Sequence, residues 1–294
     1  MKNKSIGSKI LYFPLTKILV GIIVVSGTYG ITKNFRGGIA RLSFLSKDWN
    51  NLIVTIISTI LAVGAYIYLY KVYEKRNITE FSKNNIFKNL IIGALLGAIL
   101  QSLTILFIYI KGGYSIISIN PLLYIISPLT MAFASATFEE ILFRGIIFRI
   151  TEEKLGSYIS LLISAIIFGL LHFTNPNSSI GSSIGLAIQA GLLLGAAYIY
   201  SRNLWFPIAI HFAWNFTQSG VFGATISGIK ASKSLIVSNI NGENWYTGGQ
   251  FGPEGSIQAT IFCFTATLIL MVLCHKKRRI IKPYWKRSLL KHDK

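Results

Sequence analysis

Eight stretches of this chain are long and apolar enough, or nearly so, to cross a bilayer as helices. They lie at roughly 11–31, 50–70, 87–110, 121–148, 157–173, 180–200, 205–223 and 256–274, and about 20 apolar residues suffice for one crossing. Hydrocarbon offers no partner to a backbone N–H or C=O, so such stretches fold as helices or as a closed barrel. The runs are continuous rather than alternating, which argues against a barrel. The expected fold is all-α, a polytopic membrane helix bundle of about eight transmembrane helices, with residues 1–294 forming a single transmembrane domain. Only 13% of the residues are charged against 52% hydrophobic, whereas soluble domains carry roughly a quarter charged residues.

The formal net charge of +19 would suggest nucleic acid in a soluble protein, but no nucleic-acid-binding motif accompanies it. The basic residues lie between the apolar runs and in a tail over 275–294, where they set topology and meet anionic lipid headgroups. An even number of crossings puts both termini on one side. With that side cytoplasmic, the inner segments hold Lys2, Lys4 and Lys9; Lys71, Lys75, Arg76 and Lys83; Arg149 and Lys154; Arg202; and the tail. The outer loops hold Lys33, Arg36, Arg41 and Lys47; Lys111; and Lys230 and Lys233. The first outer loop fits poorly, and the 71–88 loop and the tail decide for cytoplasmic termini. No small-residue cleavage site clearly follows the first run, so a retained helix is expected there.

Cys263 and Cys274 both fall in the last run and read as packing residues, and the usual zinc signatures are absent. Gly93-Ala94-Leu95-Leu96-Gly97 and Gly191-Leu192-Leu193-Leu194-Gly195 match the small-xxx-small pattern that lets helices approach closely in lipid. No internal repeat supports a transporter built from inverted halves. Residues 224–255 form one long outer loop, turn-rich around Gly248–Gly255, with Glu254 expected near the N-terminus of the last helix, where an acid is favourable.

Three apolar runs carry strongly polar groups: Glu139-Glu140-Ile141-Leu142-Phe143-Arg144, Phe168-Gly169-Leu170-Leu171-His172 and His211-Phe212-Ala213-Trp214-Asn215. A charge in hydrocarbon is costly, so these groups face a protein interior or a wet cavity. Glu140 and Arg144 stand at i and i+4 and can pair. Glu139 is turned about 100° away and lacks that partner, which leaves it free to act as a general base. The alternative is that both acids belong to a salt-bridge network at the helix end. His172 alone reads more readily as an interior hydrogen-bonded residue than as a catalyst, and Phe168 as a packing wall. His211 and Asn215 share one helical face and can donate to an oxyanion, or can act as polar glue between helices. Together the groups suit hydrolysis of an acyl group, most simply a peptide bond. Glu139 and His172 would activate water, and His211 and Asn215 would face the carbonyl oxygen. No Gly-x-Ser-x-Gly motif is present and the cysteines lie outside these clusters, so water is the expected nucleophile.

At these residues the chain resembles the CPBP family of intramembrane endopeptidases, also called the Abi or CAAX-protease family and akin to type II CAAX prenyl endopeptidases. That family is marked by Glu-Glu-x-x-x-Arg, Phe-x-x-x-His and His-x-x-x-Asn or Asp on successive helices. All three patterns occur here in order, within a core of about 121–223. The Gly248–Gly255 stretch also looks like a loop of bacterial members. The resemblance implies a bundle of about eight helices around a conical cavity open to the cytoplasmic side and to lipid. It implies catalytic roles for Glu139, His172, His211 and Asn215, with Glu140, Arg144 and Phe168 supporting them. It also implies a peptide or lipidated protein substrate and residence in a bacterial cell membrane. Bacterial members are associated with peptide processing, bacteriocin self-immunity and maturation of signalling peptides.

The cofactor reading is either none or one divalent metal. Zinc would take three protein ligands plus water, and the candidates are Glu139, His172 and His211. With Glu140 held by Arg144, that set leaves no acid to act as base, which favours a metal-free site. Against the endopeptidase stands a second reading, a non-catalytic membrane immunity protein that uses the same polar pocket to bind.

Overall fold

The computed structural model describes residues 6–34, 45–230 and 232–287. Lys2, Lys4, Arg36 and Arg41, and residues 288–294 of the basic tail, lie outside the described residues. The expected apolar runs are mostly helical. The first three are α2 (Pro14–Asn34), preceded by the short α1 (Ile6–Leu11), then α3 (Lys47–Tyr73) and α4 (Ile86–Ile110). Next come α5 (Ile126–Glu140) and α6 (Arg149–His172), joined by a wide π-helical stretch, Ile141–Phe148. Then α7 (Ile180–Leu186) passes through a second such stretch, Ala187–Leu192, into α8 (Leu193–Ser201). α9 (Trp205–Asn215) is prolonged by a third, Phe216–Val221. After the short α10 (Asn244–Thr247), α11 (Ile257–Lys276) is the last leg.

Among the described residues, six helical stretches are long and apolar enough to cross a membrane. The longest, Leu122–His172, is bent at Gly156, whose φ of 74° only glycine adopts at no cost. A side chain there would also strike Ile281 and Pro283 of the tail. The bend turns α6 back on α5, so this stretch is two legs. Trp205–Val221 is shorter than the six. The burial pattern is that of a protein in lipid. Gln101, Thr104, Ser160 and Ser164 are fully buried, while Ile91, Ile99, Leu162 and Ile166 of the same helices face outward. Polar side chains in a lipid-embedded bundle turn inward, away from hydrocarbon, and apolar ones turn out to it.

The two ends of the bundle differ. One is knitted by ions: Glu74 meets Lys17 at 2.9 Å, Arg76 at 2.7 Å and Arg149 at 2.8 Å, Arg76 also meets Glu80, and Arg202 meets Glu152. Burial opposes the charge on Glu74, yet Arg149, Lys17 and Arg76 together hold its carboxyl below the usual 4.5. Backbone bonds from Leu204 to Glu80 and from Ser157 to Ile281 tie the same loops together. At the other end, β1 (Tyr114–Ile119) pairs antiparallel with β2 (Ile236–Ile240), from Tyr114 opposite Ile240 to Ile119 opposite Ile236, with an irregularity between Ile116 and Ser118. This ribbon adds to the all-α expectation. Both segments are short and rich in β-branched residues, which suit a pleated surface. Cys263 and Cys274 are free and buried, as packing residues are.

Both small-xxx-small pairs mark close helix contacts. A methyl group on Gly93 would lie 2.8 Å from the carbonyl oxygen of Phe206, and one on Gly97 would run into that of Ile210, so α4 lies directly against α9. One on Gly191 would lie 2.6 Å from the Cα of Ala165. We expect Gly97→Ala to lower the detergent melting temperature by an amount matching about 1–3 kcal/mol of overpacking. Gly64→Ala, mid-helix where nothing stands within 4 Å, is expected to hold or raise it, since alanine favours the helix; equal melting of both variants contradicts the α4–α9 contact.

Candidate active site

Glu139 and Glu140 end α5 where the wide π-helical stretch begins. Such stretches leave carbonyls without their usual partners and recur at functional sites. Arg144 lies within the first, and its guanidinium reaches into the second. It donates to Glu140 Oε1 at 2.7 Å and to the carbonyls of Ala190 at 2.6 Å and Gly191 at 3.1 Å. Both members of the ion pair are fully buried. The guanidinium also lies over the ring of Phe168, 5.4 Å from its centroid. The i, i+4 pairing expected from the sequence therefore forms. Glu140 has a second duty that spacing did not reveal: its Oε1 also meets His211 Nδ1 at 3.1 Å.

Glu139 is the acid without a cation. Its Oε2 is buried with no hydrogen-bond partner, and the nearest imidazole nitrogen, His172 Nε2, is 3.9 Å away. His172 is held by two contacts. Its Nδ1 donates to the Phe168 carbonyl at 2.8 Å, and its ring stacks on Phe168 with centroids 4.3 Å apart. A carbonyl only accepts, so in the neutral ring Nε2 carries the lone pair on the side of Glu139. Asn215 donates one amide hydrogen to Ser135 Oγ at 3.0 Å and keeps a second.

Glu139, His172, His211 and Asn215 line one cavity of about 270 Å³, with Phe168 in its wall. Glu140 and Arg144 stand behind it and brace His211. The sequence reading missed Ser135, Gln189, Ser227 and Glu254, which line the same cavity. Ser135 stands one turn before Glu139, the only signal it carried. Glu254 does stand just before α11, but the helix end is capped by Ser256, which accepts from the Ala259 amide. The Glu254 side chain instead turns inward, and its Oε1 accepts from the amide and hydroxyl of Ser227. Burial pushes this carboxyl up to about 7, against the hydrogen bonds from Ser227.

No three His, Cys, Asp or Glu side chains among the described residues gather as ligands of one ion would, the trio Glu139, His172 and His211 included. Nδ1 of His211 is directed at Glu140. As arranged, these residues do not fit a catalytic zinc site, and no step below is routed through a metal.

Residues 121–217 match the family model described as type II CAAX prenyl endopeptidase Rce1-like. This segment is similar to the Rce1-like family. It spans a third of the chain and contains every residue from Glu139 to Asn215 discussed above. No curated protein and no solved structure matches the chain. The segment similar to CAAX-type proteases is set in a membrane helix bundle.

Two outcomes follow from the electrostatics. Removing one partner of a buried pair strands the other, at a cost of about 3–5 kcal/mol. Arg144→Leu is therefore expected to lower the melting temperature sharply, and adding Glu140→Gln to recover part of the loss; no recovery in the double variant contradicts the pairing. Glu254 binds its proton more tightly folded than unfolded, so its effect on stability declines as pH rises from 4.5 to about 7 and then levels off. In Glu254→Gln that decline is expected to flatten, read from melting temperature against pH; an unaltered profile contradicts the buried-acid assignment.

Proposed function

We propose that this protein is an intramembrane endopeptidase with eight crossings that uses a water held between Glu139 and His172 as its nucleophile. One observation carries the reading: an uncompensated carboxylate oxygen and a lone-pair nitrogen face each other at 3.9 Å. That is too far for a direct hydrogen bond, yet one water at about 2.8 Å from each would bridge them. The cavity around them also holds His211 and Asn215.

Glu139 takes a proton from the water while His172 Nε2 orients it, and the water oxygen adds to the scissile carbonyl carbon. The carbonyl oxygen becomes an oxyanion, stabilised by the spare amide hydrogen of Asn215 and by His211. With Nδ1 of His211 turned to Glu140, Nε2 donates in the doubly protonated form of the ring, and Glu140 is its counter-ion. Collapse of the tetrahedral species breaks the C–N bond, and the proton held by Glu139 passes to the leaving amine. Apolar walls from Met131, Leu186, Leu193, Ile210 and Trp214 suit an apolar side chain or lipid chain beside the scissile bond. Processing of a membrane-associated peptide, including one tied to bacteriocin production or self-immunity, is the activity we assign.

Glu139→Gln and His172→Ala are expected to lower cleavage of a peptide substrate by at least about 10²-fold, the usual contribution of a general base, with melting temperature and yield retained. Asp48→Asn, at a distant ion pair with Lys233, is expected to cleave normally. Full activity in either cavity variant contradicts the mechanism.

A further inference from the structure

We propose that the side-chain oxygen of Gln189, Oε1, accepts a backbone N–H of the bound substrate and so sets the register of an extended peptide against Glu139 and His172. The class of substrate rests on the endopeptidase reading, and the role of the amide rests on its own geometry.

Gln189 stands in the π-helical stretch between α7 and α8. Leu186, Gln189, Ala190 and Leu193 of this leg line the cavity, and Gln189 is the polar one among them. It is only 5% exposed. Its amide has one orientation. Nε2 donates one hydrogen to the Glu254 carbonyl at 2.7 Å and the other to Thr260 Oγ1 at 2.8 Å. The carbonyl only accepts, and Thr260 directs its own hydroxyl hydrogen to the Ser256 carbonyl at 3.2 Å. Reversing the amide would set its oxygen against the carbonyl oxygen of Glu254. Oε1 is therefore fixed as the accepting end, and it is buried with no donor among the described residues. An acceptor left unpaired in a protein interior is costly, so the site favours a ligand that donates to it.

The Gly248–Gly255 loop takes no part in the proposed chemistry, yet it supplies the anchor. Gly248 and Gly252 have φ of 77° and 110°. A side chain on Gly248 would strike the carbonyl of Gly252, and one on Gly252 that of Thr225. Glycine alone lets the loop fold this tightly, which brings the Glu254 carbonyl to Gln189 while the Glu254 carboxyl is tied to Ser227. The donor that suits Oε1 is a peptide N–H. An extended segment in the cavity gives up water from its amide hydrogens, and each then needs an acceptor. The side chains of Leu186, Ala190 and Leu193 offer none. One acceptor in an apolar wall takes one N–H and lets apolar side chains pack on either side of it. With His211 and Asn215 at the scissile carbonyl from another leg, this second contact fixes where along the chain the cut falls. The substrate is thereby an extended peptide with apolar residues around one required N–H, and proline, which has none, is rejected at that position.

The probe is a fluorescent leucine-rich peptide, together with esters of it in which one N–H at a time is replaced by oxygen. Binding is measured on purified Glu139→Gln protein, so that the peptide is not cut, with Gln189 intact and with Gln189→Met, which keeps the length and loses the amide. With Gln189 intact, one ester is expected to bind about tenfold more weakly than the parent peptide, the effect of stranding one buried acceptor. In Gln189→Met that ester and the parent are expected to bind alike. A peptide that does not bind, a scan in which no ester is weakened, or an ester weakened equally in both proteins overturns the proposal. If Gln189→Met does not accumulate, Thr260→Val takes its place; it removes one anchor of the amide, and the tenfold difference is expected to shrink, while an undiminished difference overturns the proposal. Cleavage of the same peptide by the unaltered protein is measured alongside. The ester effect without any cleavage upholds the Gln189 contact and removes the endopeptidase reading. Cleavage without an ester effect keeps that reading and overturns the contact.

Discussion

The ion pair between Glu140 and Arg144 is the constraint on which the rest of the site depends. Two opposite charges with no exposure to solvent tolerate no loose geometry, because each is costly without the other. Arg144 meets this demand by also donating to the carbonyls of Ala190 and Gly191, which fastens α5 to the α7–α8 leg. Glu140 meets it by holding His211, which fastens the same point to α9. One buried pair thereby sets the relative position of three legs. With Glu140 neutralised, Glu139 is the carboxyl without a cation and the base in the proposed mechanism, and the difference between two adjacent identical residues comes from a 100° turn of the helix.

Close packing carries that geometry outward. Gly93 and Gly97 let α4 lie against α9, and Gly191 lets the α7–α8 leg lie against Ala165 of α6. These contacts hold the backbones that carry His211, Asn215 and His172 at fixed separations. In lipid, where helices gain little from burying apolar surface against one another, such contacts and interhelical hydrogen bonds supply much of the cohesion. Phe168 links the two levels: its carbonyl fixes the tautomer of His172, its ring stacks on that imidazole, and the Arg144 guanidinium lies over the same ring.

Much of this was legible in the sequence because it is local or periodic. The apolar runs gave the helical legs, the i, i+4 spacing gave the Glu140 to Arg144 pair, and three polar clusters in three runs pointed to one cavity. What escaped is long-range or aperiodic. β1 and β2 are each only a few residues long and lie more than a hundred residues apart, so neither signals the other. Glu254 is a single acid in a glycine-rich loop and carries no period, yet burial brings it into the cavity with Ser227. The hydrogen bond from Asn215 to Ser135 joins α9 to α5 and has no signature in either segment. The wide π-helical stretches that free carbonyls for Arg144 look in sequence like ordinary helix.

The central claim is that water, poised between Glu139 and His172, attacks the peptide carbonyl with no covalent enzyme intermediate. Cleavage of a peptide substrate by the purified protein in ¹⁸O-labelled water containing excess hydroxylamine tests this most directly, with both products and protein weighed by mass spectrometry. The account predicts one ¹⁸O atom in the new carboxylate, no hydroxamate product and no acylated protein. A hydroxamate, or a protein mass increased by the acyl portion of the substrate, would contradict it by revealing a side-chain nucleophile.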